Sequence, residues 1–168
     1  MTTTARRVVQ IIGEHHLAHG GDVVWELGSG YFGARDKQGH FDPAQFADKA
    51  AHDAVKMTEI KLSQGAKPGF GGQLMANKVT KELAEIRGIP QGIDLRSPSR
   101  HPDILGGDDL LIKVEEFREA TGYKVPVSVK LGAGRIRDDI KIAYKDGFDF
   151  VELDGMQGST GAGGSEVT

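Results

Sequence analysis

The 168-residue sequence contains no cysteine, which excludes disulfides and any thiolate set that would hold an iron–sulfur cluster on this segment. No apolar stretch approaches the roughly 18 residues of a membrane-spanning helix, and the opening MTTTARRVVQ has no apolar signal core. The expected compartment is therefore the cytoplasm. Nor is there a basic run: 21 Lys and Arg are scattered among 24 Asp and Glu for a net charge of -3, so neither nucleic acid nor a membrane surface is an expected partner. A small anionic ligand needs only local positive charge. With 38% hydrophobic and 27% charged residues, the chain has the composition of one soluble domain. Its 24 glycines fall between periodic segments and do not form low-complexity linker.

β-like runs at 23–27, 58–62, 93–96, 125–131 and 148–153 alternate with segments carrying helix signals, a pattern that predicts parallel βα units. Asp42-Pro43-Ala44-Gln45 reads as N-cap, first-turn proline and capping-box glutamine for a helix to about residue 53. Thr80 caps a second helix, Asp108 or Asp109 opens a third with Leu110, Val114 and Phe117 on one face, and Ile136, Ile140 and Ala143 mark a fourth. In every strand the alternation sets polar groups opposite aliphatic ones: Glu26, Lys61, Asp94 with Arg96, Ser128 with Lys130, and Glu152 with Asp154. A doubly wound sheet buries both faces in aliphatic residues. The charged alternation instead predicts a (β/α)8 TIM barrel whose inner face binds a ligand, here an incomplete barrel of about five βα units, because a complete one needs eight strands and usually about 250 residues.

The run from Glu59 to Gln73, EIKLSQGAKPGFGGQ, is the most informative stretch. Glu59, Lys61 and Ser63 share one strand face, and burying a lysine there costs several kcal/mol unless it meets an anion. Four glycines follow at 65, 69, 71 and 72, which let backbone N–H groups approach an anionic ligand. A strand ending in a flexible turn with solvated lysines is the competing reading.

QGAKPGFGGQ at 64–73, with EIKLS before it and Ile86-Arg87-Gly88 after it, closely resembles the FMN-binding synthase domain of glutamate synthases and their methylglutamate synthase relatives. The likeness continues through GGD at 20–22, WELGSGYFG at 25–33, RSPSRHPD at 96–103, VSVKLGAG at 127–134 and DGMQGSTGAG at 154–163, nearly nine tenths of the chain. It implies an FMN-dependent barrel over residues 16–168, with 1–15 unassigned. It also implies reduction of 2-iminoglutarate, formed from 2-oxoglutarate and ammonia, to L-glutamate.

By the same resemblance Lys67, Gln73 and Arg87 bind the oxo acid, Lys61 and Gln73 are catalytic, and Lys61, Lys130 and Ser29 contact the flavin. The implied partners are a glutamine amidotransferase domain or subunit as ammonia source, a glycine-repeat subunit and an electron donor. Two functional alternatives stay open, a methylamine–glutamate N-methyltransferase subunit and a truncated, non-catalytic remnant. The glycine-rich segment that holds the FMN phosphate in the resembled family lies in two further βα units that have no counterpart here, so an internal piece of a longer synthase domain is expected.

Each residue also has a simpler explanation. Arg87 at a helix end complements the helix dipole, Lys130 with Glu152 makes a cross-strand ion pair, Gln73 caps a turn, and Asp154 forms one. His15, His16 and His19 include an i, i+4 pair, but a surface or core histidine is far commoner than a metal ligand, and no metal is expected. The resemblance makes His16 part of a shared structural segment and His101 a loop residue at the barrel mouth. Trp25, on an aliphatic face, is expected in the core.

Overall fold

A computed structural model describes residues 7–10, 12, 18–158 and 160. Its centre is a five-stranded sheet, all parallel, formed by β1 (Arg7–Val9), β2 (Val23–Leu27), β3 (Val55–Lys61), β6 (Val127–Gly132) and β7 (Phe150–Asp154) in the spatial order β1-β2-β3-β6-β7. A two-stranded antiparallel ribbon, β4 (Gln73–Leu74) with β5 (Leu95–Arg96), lies outside it. The helices are α1 (Pro43–Ala50), α2 (Lys81–Arg87), α3 (Gly107–Ala120) and α4 (Ile136–Lys145).

The period-2 strands of the sequence appear as expected at β2, β3, β6 and β7. The strand expected at 93–96 does not join the sheet; β5 pairs with β4, and Gly92 in the left-handed region turns the chain before it. Asp94 and Arg96 therefore leave the row of polar groups expected on the inner face. The fifth place is taken by β1, from a stretch that carries no readable periodicity, with Arg7 opposite Val23.

Helix starts follow their capping chemistry. The Asp42 carboxylate accepts the N–H groups of Ala44 and Gln45, and Thr80 Oγ1 accepts that of Leu83. The Gln45 side chain does not close a capping box; its amide donates to the Asp42 carboxylate and to the Arg35 carbonyl. Asp109 Oδ2 accepts from both Leu105 N and Gly106 N, which starts α3.

The aliphatic face of the sheet carries the core. Trp25, Leu27, Ile60 and Val127 pack with Phe46 of α1 and with Leu110, Val114 and Phe117 of α3, while Val129 and Leu131 pack with Ala143 of α4. Trp25 stacks on Phe46 with ring centroids 5.2 Å apart, the core role expected of it. On β7 the aliphatic face is not covered by helices: Val151 and Leu153 are exposed. Helix α2 stands apart on a small second cluster, where Val79, Ala84 and Leu95 pack with Phe32, Leu74 and Ile89.

Candidate functional site

The polar face of the sheet is a charged floor. Register places Glu26 beside Glu59, Glu59 beside Ser128, Lys61 beside Lys130, and Lys130 beside Glu152, so strand alternation alone brings these groups onto one face. Glu26 holds both lysines: its Oε1 is 3.0 Å from Lys61 Nζ and its Oε2 3.1 Å from Lys130 Nζ. The Gln10 amide donates to Glu26 Oε1 at 2.7 Å. Lys130 also meets Glu152 at 3.0 Å and Asp154 at 4.0 Å.

Burial raises the pKa of Glu26, but Lys61, Gln10 and Lys130 outweigh it and hold the carboxyl below its ordinary value. For Lys130 burial works downward and Glu26 and Glu152 work upward; the carboxylates win, and its ammonium titrates above the usual range. Glu59 differs. It is fully buried, accepts one hydrogen bond from Ser128 Oγ at 3.0 Å, and leaves Oε1 with no partner. Burial first and the Glu152 charge second push its pKa up to about 7.

Above this floor lies a cleft of about 340 Å³. Ser29, Lys61, Lys67, Gln73 and Arg87 all line it, together with Glu26, Phe32, Phe70 and the turn Ser97-Pro98-Ser99. Five of the six residues expected from the sequence thus meet at one opening, although they come from β3, β4, α2 and two loops. Lys130, the sixth, stands beside them in the floor and reaches the cleft through Glu26.

The loop carrying Lys67 is held by close backbone contacts. Gly65 N donates to Asp154 Oδ2 at 3.0 Å, and Gly72 N donates to Ser97 Oγ at 2.8 Å. A Cβ at Gly65 would sit 2.2 Å from Gly155 O, and one at Gly71 would sit 1.9 Å from Ser97 O. These two glycines are there for clearance, and Asp154 is the loop's fastener rather than only a turn former.

Lys67 is almost fully buried, and burial followed by the charge of Lys61 pushes its pKa down. Arg87, the last residue of α2, has a buried Nε that makes no hydrogen bond with any described residue, and its guanidinium carbon lies 5.1 Å from the Phe32 ring centre. Burial lowers its pKa as well, yet a guanidinium stays positive at any physiological pH. Arg87 thus faces the cleft without an ion pair to a described carboxylate within 4.0 Å, and Lys67 lines the same cleft. Ser29 Oγ donates to Pro98 O at 2.5 Å, which commits its proton and leaves its lone pairs as acceptors. Among the described residues the Gln73 amide reaches only Met75 Sδ, at 3.4 Å.

His101 is a loop residue beside the carboxyl end of β3 and does not line the cleft. It is buried, its Nε2 lies 2.9 Å from Lys61 O, and its ring packs 5.0 Å from that of Tyr31. It ties the loop after β5 to the end of β3. His15 and His16 lie outside the described residues, and no group of three or more potential metal-ligating side chains occurs among those that are described. Sequence reasoning missed Phe32 as a residue lining the cleft, and it placed Glu59 on the charged face without giving it a role.

The sequence profile of the family described as "Conserved region in glutamate synthase" matches residues 12–168. A glutamate synthase large subunit-like protein of Rhizobium meliloti is 50% identical over 104 residues, covering 62% of this chain and 24% of that protein. The glutamate synthase large subunit-like protein YerD of Bacillus subtilis is 36% identical over 156 residues, 90% of this chain and 29% of the relative. An archaeal glutamate synthase [NADPH] of Archaeoglobus fulgidus is 37% identical over 147 residues, 86% and 26% respectively. The chain therefore spans about a quarter of the length of the curated relatives it matches. A profile match over nearly the whole chain, with relatives above 35% identity, shows that the chain belongs to the glutamate synthase family.

Proposed function

We propose that this chain is part of the synthase domain of a glutamate synthase-type oxidoreductase, an FMN-dependent (β/α)8 barrel of which it supplies about five βα units. The reaction is reduction of 2-iminoglutarate, formed from 2-oxoglutarate and ammonia, to L-glutamate, the ammonia coming from a glutamine amidotransferase domain or subunit. The observation that carries this reading is the convergence of Lys67, Gln73 and Arg87 on one cleft, with a buried guanidinium nitrogen that no described residue satisfies. A buried cation without a partner is costly, and a dicarboxylate is the anion that two cations and a neutral amide suit best.

Lys67 and Arg87 take the two carboxylates, and Gln73 orients the keto or imino group. The floor fits a flavin. An ammonium has three donors; Lys61 commits one to Glu26, and its others remain for the cofactor. Lys130 is held by Glu26 and Glu152, so it acts through its field more than by contact, and Ser29 offers an acceptor. FMN, when bound, supplies the reducing electrons, and the two lysines stabilise negative charge on its reduced ring.

The test is steady-state kinetics with varied 2-oxoglutarate on the protein as its gene encodes it. A charge-assisted hydrogen bond contributes about 1.5 to 3 kcal/mol, so Arg87→Ala should raise the KM for 2-oxoglutarate about ten- to a hundredfold at roughly 1.4 kcal/mol per decade, with flavin absorbance unchanged. An unchanged KM, or flavin lost in step with activity, removes Arg87 from the substrate site.

A further inference from the structure

The geometry points to Phe32 as the positioning residue of the anion site, an aromatic brace that fixes the guanidinium of Arg87 from below. Arg87 has no hydrogen-bonding partner among the described residues, so nothing polar sets its direction. What touches it is the ring of Phe32, 5.1 Å from its guanidinium carbon. The same ring carries the guanidinium of Arg35 at 5.2 Å, and Arg35 is itself anchored by donating to Gly30 O at 3.2 Å. One phenyl ring thus serves two cations. A ring quadrupole attracts a guanidinium without using any of its N–H donors, which leaves those of the two terminal nitrogens for a carboxylate.

The brace is built from both sides of the cleft. Phe32 lies in the loop after β2, and its ring packs into the small cluster of Val79, Ala84 and Leu95 that supports α2, the helix bearing Arg87. Gly30 makes room for it: a Cβ there would lie 2.6 Å from Phe32 Cε2. The ring therefore links the β2 loop, where Ser29 lines the cleft, to the wall that presents Arg87. A guanidinium held in advance loses less freedom when the anion arrives.

The inference rests on the reading of the cleft as the 2-oxoglutarate site, and the experiment separates the two. In the protein as its gene encodes it, Phe32→Leu should raise the KM for 2-oxoglutarate about three- to tenfold, the scale of one cation–π contact, with kcat within about twofold. Phe32→Tyr, which keeps the ring, should restore the KM. Gly30→Ala, which displaces the ring without removing it, should reproduce the defect; because a side-chain ring end can move aside, this variant tests the brace even where Phe32→Leu fails to fold. Wild-type KM in folded Phe32→Leu or in Gly30→Ala, beside a raised KM in Arg87→Ala, overturns the brace and leaves the oxo-acid site standing. Wild-type KM in Arg87→Ala overturns both.

Discussion

Glu26 and Glu59 are Cα partners across β2 and β3, and their ionisation is driven in opposite directions. Glu26 is shared by two ammoniums, whereas Glu59 has one serine hydroxyl and an unsatisfied oxygen. The polar face sets four carboxylates, Glu26, Glu59, Glu152 and Asp154, against two ammoniums, Lys61 and Lys130. The carboxylate farthest from water and from any lysine contact holds on to its proton.

Glu59→Gln should change how stability depends on pH. The folded pKa of about 7 lies above the ordinary 4.5, so the folded state binds the proton more tightly than the unfolded one. The stabilisation is fully present below 4.5 and is lost as pH rises through 7. At 1.36 kcal/mol per unit this amounts to about 3 kcal/mol. Urea denaturation of wild type and variant from pH 4.5 to 8 should show their stability difference moving by that amount in favour of the variant. A difference that stays constant across the range means that Glu59 is ionised throughout.

Glu26→Gln removes the charge that Lys61 and Lys130 share. Breaking a buried pair by deleting one partner costs about 3 to 5 kcal/mol, and Lys130 keeps Glu152, so a loss of about 3 kcal/mol is expected at pH 7. Because Glu26 titrates below its ordinary value, its contribution is present above the unfolded pKa and is lost as pH falls through the folded one. The two proteins should therefore converge in stability as pH falls below the ordinary carboxylate range. Equal denaturation midpoints at pH 7 would show that the lysines find other partners.

Gly71→Ala places a methyl group 1.9 Å from Ser97 O, a backbone atom that no rotamer change relieves. The β4–β5 ribbon has to open by an ångström or more, and Gln73 moves with it. If the cleft binds 2-oxoglutarate as proposed, the expected result is a KM for it raised about tenfold or more, since small misplacements of binding groups cost about that much. Far-UV circular dichroism should stay that of the wild type. Full substrate affinity in this variant would mean that the ribbon does not set the position of Gln73.

The elements legible in the sequence were those with a local signal. β2, β3, β6 and β7 announce themselves by alternation, and the same alternation foretold that Glu26, Lys61, Lys130 and Glu152 share a face. β1 has three residues, too few for a period to show. β5 looked like a sheet strand because Ile93, Asp94, Leu95 and Arg96 alternate, but its pairing is decided by Gly72 and Ser97, which exchange two hydrogen bonds across the loop. Five residues that line the cleft, Ser29, Lys61, Lys67, Gln73 and Arg87, could be named from their motif; that Arg87 rests on Phe32 could not, because the contact depends on how α2 packs. Lys113 was equally hidden. It is buried in α3 with Asp103 at 2.7 Å and Glu116 at 2.5 Å, and only the folded chain supplies Asp103.

The small cluster beneath α2 sets a hierarchy of motions. Val79, Ala84 and Leu95 are the buried members of the cluster under the unit that carries Gln73 and Arg87, whereas the main sheet is sealed by a dozen buried residues including Trp25, Phe46 and Phe117. Units with few buried contacts open at lower free energy than the whole molecule. Amide hydrogens of α2 should therefore exchange with solvent well before those of β3 and β6, and an anion bridging Arg87 to Lys67 would slow that exchange by joining the weaker unit to the stronger one. Substrate, on this view, completes the cohesion of its own binding wall.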